Sequence, residues 1–138
     1  MIKILLDTNV IIDFASKRPG FYEESKNVLS LAMRNKCKAY LTATIVTDIF
    51  YILKKENGVT HTINYLKEIL LFIDIIGVDK NIVIDALYSG WKDFEDAVQA
   101  QTAIANDINA IVTRNVKDYR QLTTIKVLTP TEFIQMCM

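Results

Sequence analysis

Ile2-Lys3-Ile4-Leu5-Leu6-Asp7-Thr8-Asn9 is the stretch on which the fold turns. Five residues, apolar but for Lys3 and partly β-branched, suit a strand buried on both faces of a sheet. Asp7-Thr8-Asn9 ends that strand and offers cap residues to the next element. Val10, Ile11, Ile12 and Phe14 then predict a short helix that stops before Pro19-Gly20. A strand running through a polar tripeptide into a helix is the opening of an α/β unit.

Outward from there the alternation repeats. Apolar positions at helical spacing predict a helix over 21–36, and KAYLT at 38–42 a second strand. Thr44 opens a helix to about residue 56, where Asn57-Gly58 is a stop signal. A further helix is expected over 60–73, with Ile63, Leu66, Ile69, Leu70 and Ile73 on one face. Asp74 interrupts the apolar run, and Ile75, Ile76 and Val78 read as a third strand. Helices over 81–88 and 93–105 follow. Residues 110–113 make a fourth strand, 116–122 a helical turn and 126–128 a fifth strand. Pro130 sits where a last helix begins, ending in the apolar tail Ile134-Gln135-Met136-Cys137-Met138. The expected fold class is α/β: a parallel sheet of four to five short strands flanked by helices on both faces.

Composition bounds the function. The chain has 138 residues, 51% of them hydrophobic and 23% charged, which suits a single domain (1–138) with a sizeable core. Sixteen basic and sixteen acidic residues cancel, so any nucleic-acid contact must come from a local patch. No apolar run approaches a membrane span, and Asp7 comes too early for a signal peptide; a soluble, cytoplasmic chain is expected. Cys37 and Cys137 make neither a disulfide framework nor a zinc spacing, and the single His61 argues against a Ser-His-Asp triad or a histidine metal site.

In an open parallel sheet, ligands bind beyond the carboxyl ends of the strands. Asp7-Thr8-Asn9 and Thr113-Arg114-Asn115 both fall there. Asp48 and Asp96 lie near helix starts that point to the same edge, and Asp118 follows Asn115 closely. Such carboxylates repel one another unless a hard cation lies between them, and Mg²⁺ or Mn²⁺ suits an all-oxygen donor set. Each acid also has a plainer reading. Asp7 is a natural helix cap, and Asp93-Phe94-Glu95-Asp96 is a cap with first-turn acids. Asp48 sits among Ile45, Val46, Ile49 and Phe50, where a charge is costly unless paired or metal-bound, although a first-turn acid also suits the helix dipole.

Taken together and in order, these blocks resemble the PIN domain, and more narrowly the bacterial VapC-like toxin ribonucleases. The resemblance rests on Leu6-Asp7-Thr8-Asn9-Val10, the acid in the helix after Thr42-Ala43-Thr44, Asp93-Phe94-Glu95-Asp96-Ala97, and Val112-Thr113-Arg114-Asn115-Val116-Lys117-Asp118-Tyr119. It implies a three-layer PIN-like fold and a Mg²⁺- or Mn²⁺-dependent endoribonuclease, the toxin half of a type II toxin–antitoxin pair. Asp7 and Asp96 match the first and third family acids. Asp48 stands where relatives more often carry Glu, and Asn115 where many carry Asp, with Asp118 as its substitute.

The implied catalytic set is Asp7, Asp48, Asp96 and Asp118, and the implied metal ligands are Asp7, Asp96, Asp48, Asn115 and Asp118. Thr8, Asn9 and Thr113 would orient those ligands. Arg114 and Lys117 flank the site and are expected to meet RNA phosphates, with Lys17, Arg18, Lys54 and Lys55 as weaker candidates. A haloacid-dehalogenase-type phosphatase needs an Asp where Asn9 stands. A degenerate PIN fold that binds RNA or protein without cutting is the remaining alternative. The helices over 44–56 and 60–73 carry more apolar side chains than one stripe each requires, which predicts a homodimer and leaves room for an antitoxin helix.

Overall fold

The computed structural model describes residues 1–137; Met138, part of the apolar tail in the sequence reading, lies outside the described residues. Five strands form one sheet: β1 (Lys3–Leu6), β2 (Lys38–Thr42), β3 (Ile73–Ile76), β4 (Ala110–Val112) and β5 (Lys126–Leu128). Their order is β3-β2-β1-β4-β5, and every pair is parallel. The helices are α1 (Thr8–Ala15), α2 (Tyr22–Met33), α3 (Ala43–Ile69), α4 (Lys80–Tyr88), α5 (Phe94–Ala105) and α6 (Pro130–Cys137), with a 3₁₀ turn at Val116–Tyr119.

β1 is central and buried, and its side chains alternate between two layers as a strand must. Ile4 and Leu6 pack with Val10, Ile11, Val28 and Ile45 on one face. Leu5 turns to the other, against Ala103, Ile111 and Tyr119. A near-continuous apolar strand is what two covered faces require. The α/β expectation, a five-stranded parallel sheet between helical layers, is what the chain adopts.

Several element boundaries differ from the sequence reading. Ile73, expected to end a helix, opens β3, so that strand runs Ile73–Ile76 and not from Ile75 to Val78. The acid that seemed to interrupt it is an outward position on an edge strand, and Asp74 pairs there with Lys38 at 3.2 Å. The two helices expected over 44–56 and 60–73 form one element, α3, kinked at Gly58. Gly58 takes φ +81°, a left-handed conformation that side-chain-bearing residues rarely adopt. Thr42 rather than Thr44 occupies the cap position of α3, without a capping hydrogen bond.

The topology fixes where a site can form. Strand order reverses at β1, between β2 and β4, and crevices open at such switch points. Leu6 pairs with Val112, so the residues that follow them, Asp7 and Thr113, emerge side by side.

Candidate functional site

Asp7 leaves β1 and caps α1. Its Oδ1 accepts from the Thr8 amide at 2.8 Å, so the plain cap reading is correct as far as it goes. Its Oδ2 accepts from the Thr113 hydroxyl at 2.8 Å and from Asn9 Nδ2 at 3.4 Å. Asn9 Nδ2 also donates to Thr113 Oγ1 at 3.2 Å, and Asn9 Oδ1 accepts from the Arg114 amide at 3.0 Å. Thr113 Oγ1 in turn accepts from the Asn115 amide at 3.0 Å. Two strand-end tripeptides therefore interlock, and one carboxylate is held at their junction. Thr8 contributes its backbone; its hydroxyl is buried without a partner.

Above that junction lies an open cleft of about 530 Å³. Asp7, Asp48, Asp93, Glu95, Asp96 and Asp118 line it, together with Thr8, Asn9 and Asn115. All the acids singled out from the sequence reach this one cleft, each from its own element. Asp48 arrives from α3, Asp96 from the first turn of α5, and Asp118 from the 3₁₀ turn after β4. Arg18 is the one cationic side chain among the lining residues. Asp93, Asp96 and Asp118 also border an adjoining pocket of about 290 Å³ with Lys92 and Arg120.

The electrostatics follow from crowding. Burial pushes the Asp96 carboxyl up to about 7, helped by the charges of Asp93, Asp7 and Asp118. Glu95 is also raised to about 7, by burial and by Asp48, against which it lies. Asp7 is raised by burial, although the donations from Thr113 and Thr8 oppose the shift. Like charges disfavour one another's ionised forms, so the cleft holds protons that isolated carboxyls would release.

The donor set is all oxygen and rich in carboxylate, which fits a hard divalent cation in chemistry. Among the described residues no three of these groups have closed into a ligand shell. The fit is thus one of donor type and convergence.

Several residues have parts the sequence reading did not give them. Arg114 is engaged: its guanidinium makes a two-point contact with buried Asp13 and lies 4.0 Å from the Phe21 ring. Lys117 is exposed beside the cleft and does not line it. Arg18 lines the cleft and pairs with Glu56 at 3.5 Å, while Lys54 sits over the Tyr51 ring at 5.7 Å. Asp93 and Glu95, read as helix-start acids, line the cleft too; Asp93 also caps α5 by accepting from the Asp96 amide at 2.9 Å. Asp13 is not among the expected site residues, yet the sequence carries its signal, since it interrupts the apolar α1 just as Asp48 interrupts α3. Gln99 and Tyr119 gave no signal, because an amide or a phenol in an amphipathic pattern is ordinary.

The sequence matches no curated protein significantly. Solved structures share the fold. The toxin–antitoxin complex from Klebsiella pneumoniae aligns at 24% identity and a TM-score of 0.69, over 92% of this chain and 97% of that one. VapBC2 from Rickettsia felis, bound to a DNA fragment from its promoter, aligns at 18% identity and a TM-score of 0.71, over 91% and 97%. VapC20 from Mycobacterium tuberculosis, a Sarcin-Ricin loop cleaving toxin, aligns at 11% identity and a TM-score of 0.62, over 78% and 86%. At these identities the likeness is one of fold. The family model described as the PIN domain matches residues 3–117, which is most of the sequence, and the chain belongs to that family.

Proposed function

We propose that this protein is a Mg²⁺- or Mn²⁺-dependent endoribonuclease, the toxin of a type II toxin–antitoxin pair acting in the cytoplasm. The observation that carries the reading is the convergence of six carboxylates from four segments on one cleft at the topological switch point. Membership of the PIN family supports nuclease chemistry. The fold shared with a toxin that cleaves the Sarcin-Ricin loop supports RNA as the substrate. The fold shared with toxin–antitoxin complexes supports an antitoxin partner.

Asp7, Asp48 and Asp96 are the proposed cation ligands, with Asp118 and Asn115 at the rim. A cation bound there supplies Lewis acidity, lowering the pKa of water and neutralising charge on the leaving oxygen. The chain's own side chains do the rest. Thr113 and Asn9 hold Oδ2 of Asp7, and the Thr8 amide holds Oδ1, so this carboxylate is oriented before anything binds. Asp118 faces Asp7 and Asp96 and adds negative charge where Asn115 brings none. Arg18 on one side, and Lys92 and Arg120 in the adjoining pocket, offer phosphate contacts along a strand crossing the acids. Lys117 is a peripheral contact. Arg114 is spent on Asp13, so its part is to brace the loop.

Asn115 favours one second reading, a PIN fold that binds RNA without cutting it, because it removes a charge from the cleft. Both readings meet the same test. Purified protein incubated with total RNA should cleave it with Mg²⁺ or Mn²⁺ and stop with EDTA. An Asp7→Asn protein prepared identically should not cleave. Binding without cleavage under both metals would leave the second reading in possession.

A further inference from the structure

Beneath the acidic cleft lies a line of polar side chains. Thr42, Gln99 and Tyr119 are each buried to within 1% of full burial. The Thr42 hydroxyl donates to Gln99 Oε1 at 2.5 Å. Thr42 Oγ1 also lies 3.1 Å from Thr44 Oγ1. Since Thr42 has given its only proton to Gln99, the Thr44 hydroxyl is the donor in that contact.

The remaining polarity follows. A carboxamide whose oxygen accepts must turn its NH₂ elsewhere, yet Gln99 Nε2 has no partner. The Tyr119 hydroxyl has none either. Two buried polar groups left unpaired in one place are rare and costly. They are neighbours: the Tyr119 hydroxyl sits among the Gln99 carboxamide and the carboxyls of Asp7 and Asp96. The Trp91 ring meets Tyr119 edge-on, 6.1 Å between centroids, and packs against the phenol. Gln99 Nε2 and the Tyr119 hydroxyl are thus the two donors left between Thr42 and the acids.

We propose that a one-way hydrogen-bond relay runs from Thr44, at the surface, through buried Thr42, Gln99 and Tyr119, ends on the carboxylates of Asp7 and Asp96 and positions them for a divalent cation. The proposal rests on the metal-dependent reading above. Tyr119 is a positioning residue: its hydroxyl would donate to a carboxylate oxygen of Asp7 or Asp96, and Gln99 Nε2 would polarise that hydroxyl by donating to it. Hydrogen bonds in such a chain strengthen one another, and their end point is the acid-lined cleft. Carboxylates gain most from the relay when fully ionised, the form a cation takes.

The test uses the whole protein labelled with ¹⁵N. Mg²⁺ added to the wild type should shift the side-chain NH₂ resonances of Gln99, although this residue lies below the acids and not in the cleft. Calorimetry should show Tyr119→Phe binding Mn²⁺ about tenfold or more weakly, as loss of a ligand-orienting partner does. The Gln99→Leu protein should lose affinity in the same direction. Wild type that binds Mn²⁺ with Gln99 resonances unmoved, or Tyr119→Phe binding as tightly as wild type, overturns the relay and spares the nuclease reading. Wild type that binds no Mn²⁺ overturns both.

Discussion

Arg114 grips Asp13 by two hydrogen bonds, Nε to Oδ2 at 2.8 Å and a terminal nitrogen to Oδ1 at 3.0 Å. The Asp13 side chain is 2% exposed and that of Arg114 is 30% exposed, so the pair is sheltered on one side only. It joins the end of β4 to α1, the helix that Asp7 caps, and the guanidinium closes over Phe21 at the start of α2. A fork of this kind is directional and leaves little of the arginine for a ligand.

Removing one partner leaves the other charge without compensation. Asp13→Ala should lower stability by about 2 to 4 kcal/mol, toward the lower end of the range for buried pairs because Arg114 is partly solvated. Denaturant unfolding measures this. The double change Asp13→Leu with Arg114→Leu should cost less than Asp13→Ala alone, and equal or greater loss in the double variant would contradict the uncompensated-charge account.

Asp7→Asn and Asp96→Asn should each reduce metal-dependent RNA cleavage by roughly 100-fold or more, since each removes a proposed ligand. Both proteins should keep the wild-type circular dichroism spectrum. Metal-free Asp96→Asn should melt as high as wild type or higher, because it removes a carboxyl that burial and three neighbouring acids already disfavour as an anion. Undiminished cleavage by both variants would locate the activity elsewhere.

The acid cluster should make stability depend on pH with a definite sign. Asp96 and Glu95 titrate near 7 in the folded chain, against ordinary values of 3.8 and 4.5. Between about pH 4 and 7 the folded state therefore binds more protons than the unfolded one, and stability falls as pH rises through that window. The melting temperature in EDTA should be several degrees lower at pH 8 than at pH 5. Affinity for Mg²⁺ should move the other way and rise with pH to about 7, because the cation takes the deprotonated groups. A flat EDTA melting profile would contradict the crowding.

Thr113→Val deletes the donor that holds Asp7 Oδ2 and the acceptor used by the Asn115 amide. The loss should be about 1 to 3 kcal/mol of stability, the cost of leaving buried polar groups unpaired. Affinity for Mn²⁺ should also weaken by about 10- to 100-fold, as for other partners that orient metal ligands. Thr113→Ser, which keeps the hydroxyl, should restore most of the affinity.

Assembly is testable on α3 and the turn after it. Ile45, Ile49 and Leu53 are buried, while Tyr51, Ile52, Ile63 and Leu70 are exposed and Leu71 is 85% exposed. This outward apolar surface is where the homodimer expected from the sequence would form. Light scattering should give twice the chain mass of 15.8 kDa, and Leu71→Lys with Ile52→Lys should give a monomer. A wild-type monomer at high concentration would remove the proposal.

The sequence by itself determined the layers of this protein. β2 and β5 lie where the apolar pattern put them, and Asn57-Gly58 marks the kink of α3, because local burial period and backbone freedom are written residue by residue. It also supplied most of the cleft acids, since polar residues ending buried strands have few other places to go. Only the tertiary structure decided what each of them meets. Arg114 looked like a phosphate contact until the fold brought it to Asp13, 101 residues away in the chain. Gln99 and Tyr119 became neighbours only when α5 and the turn after β4 packed on the same face of β1. Strand order places Asp7 beside Thr113, and that pairing depends on which strands adjoin, a property of long-range contacts and not of any window of sequence.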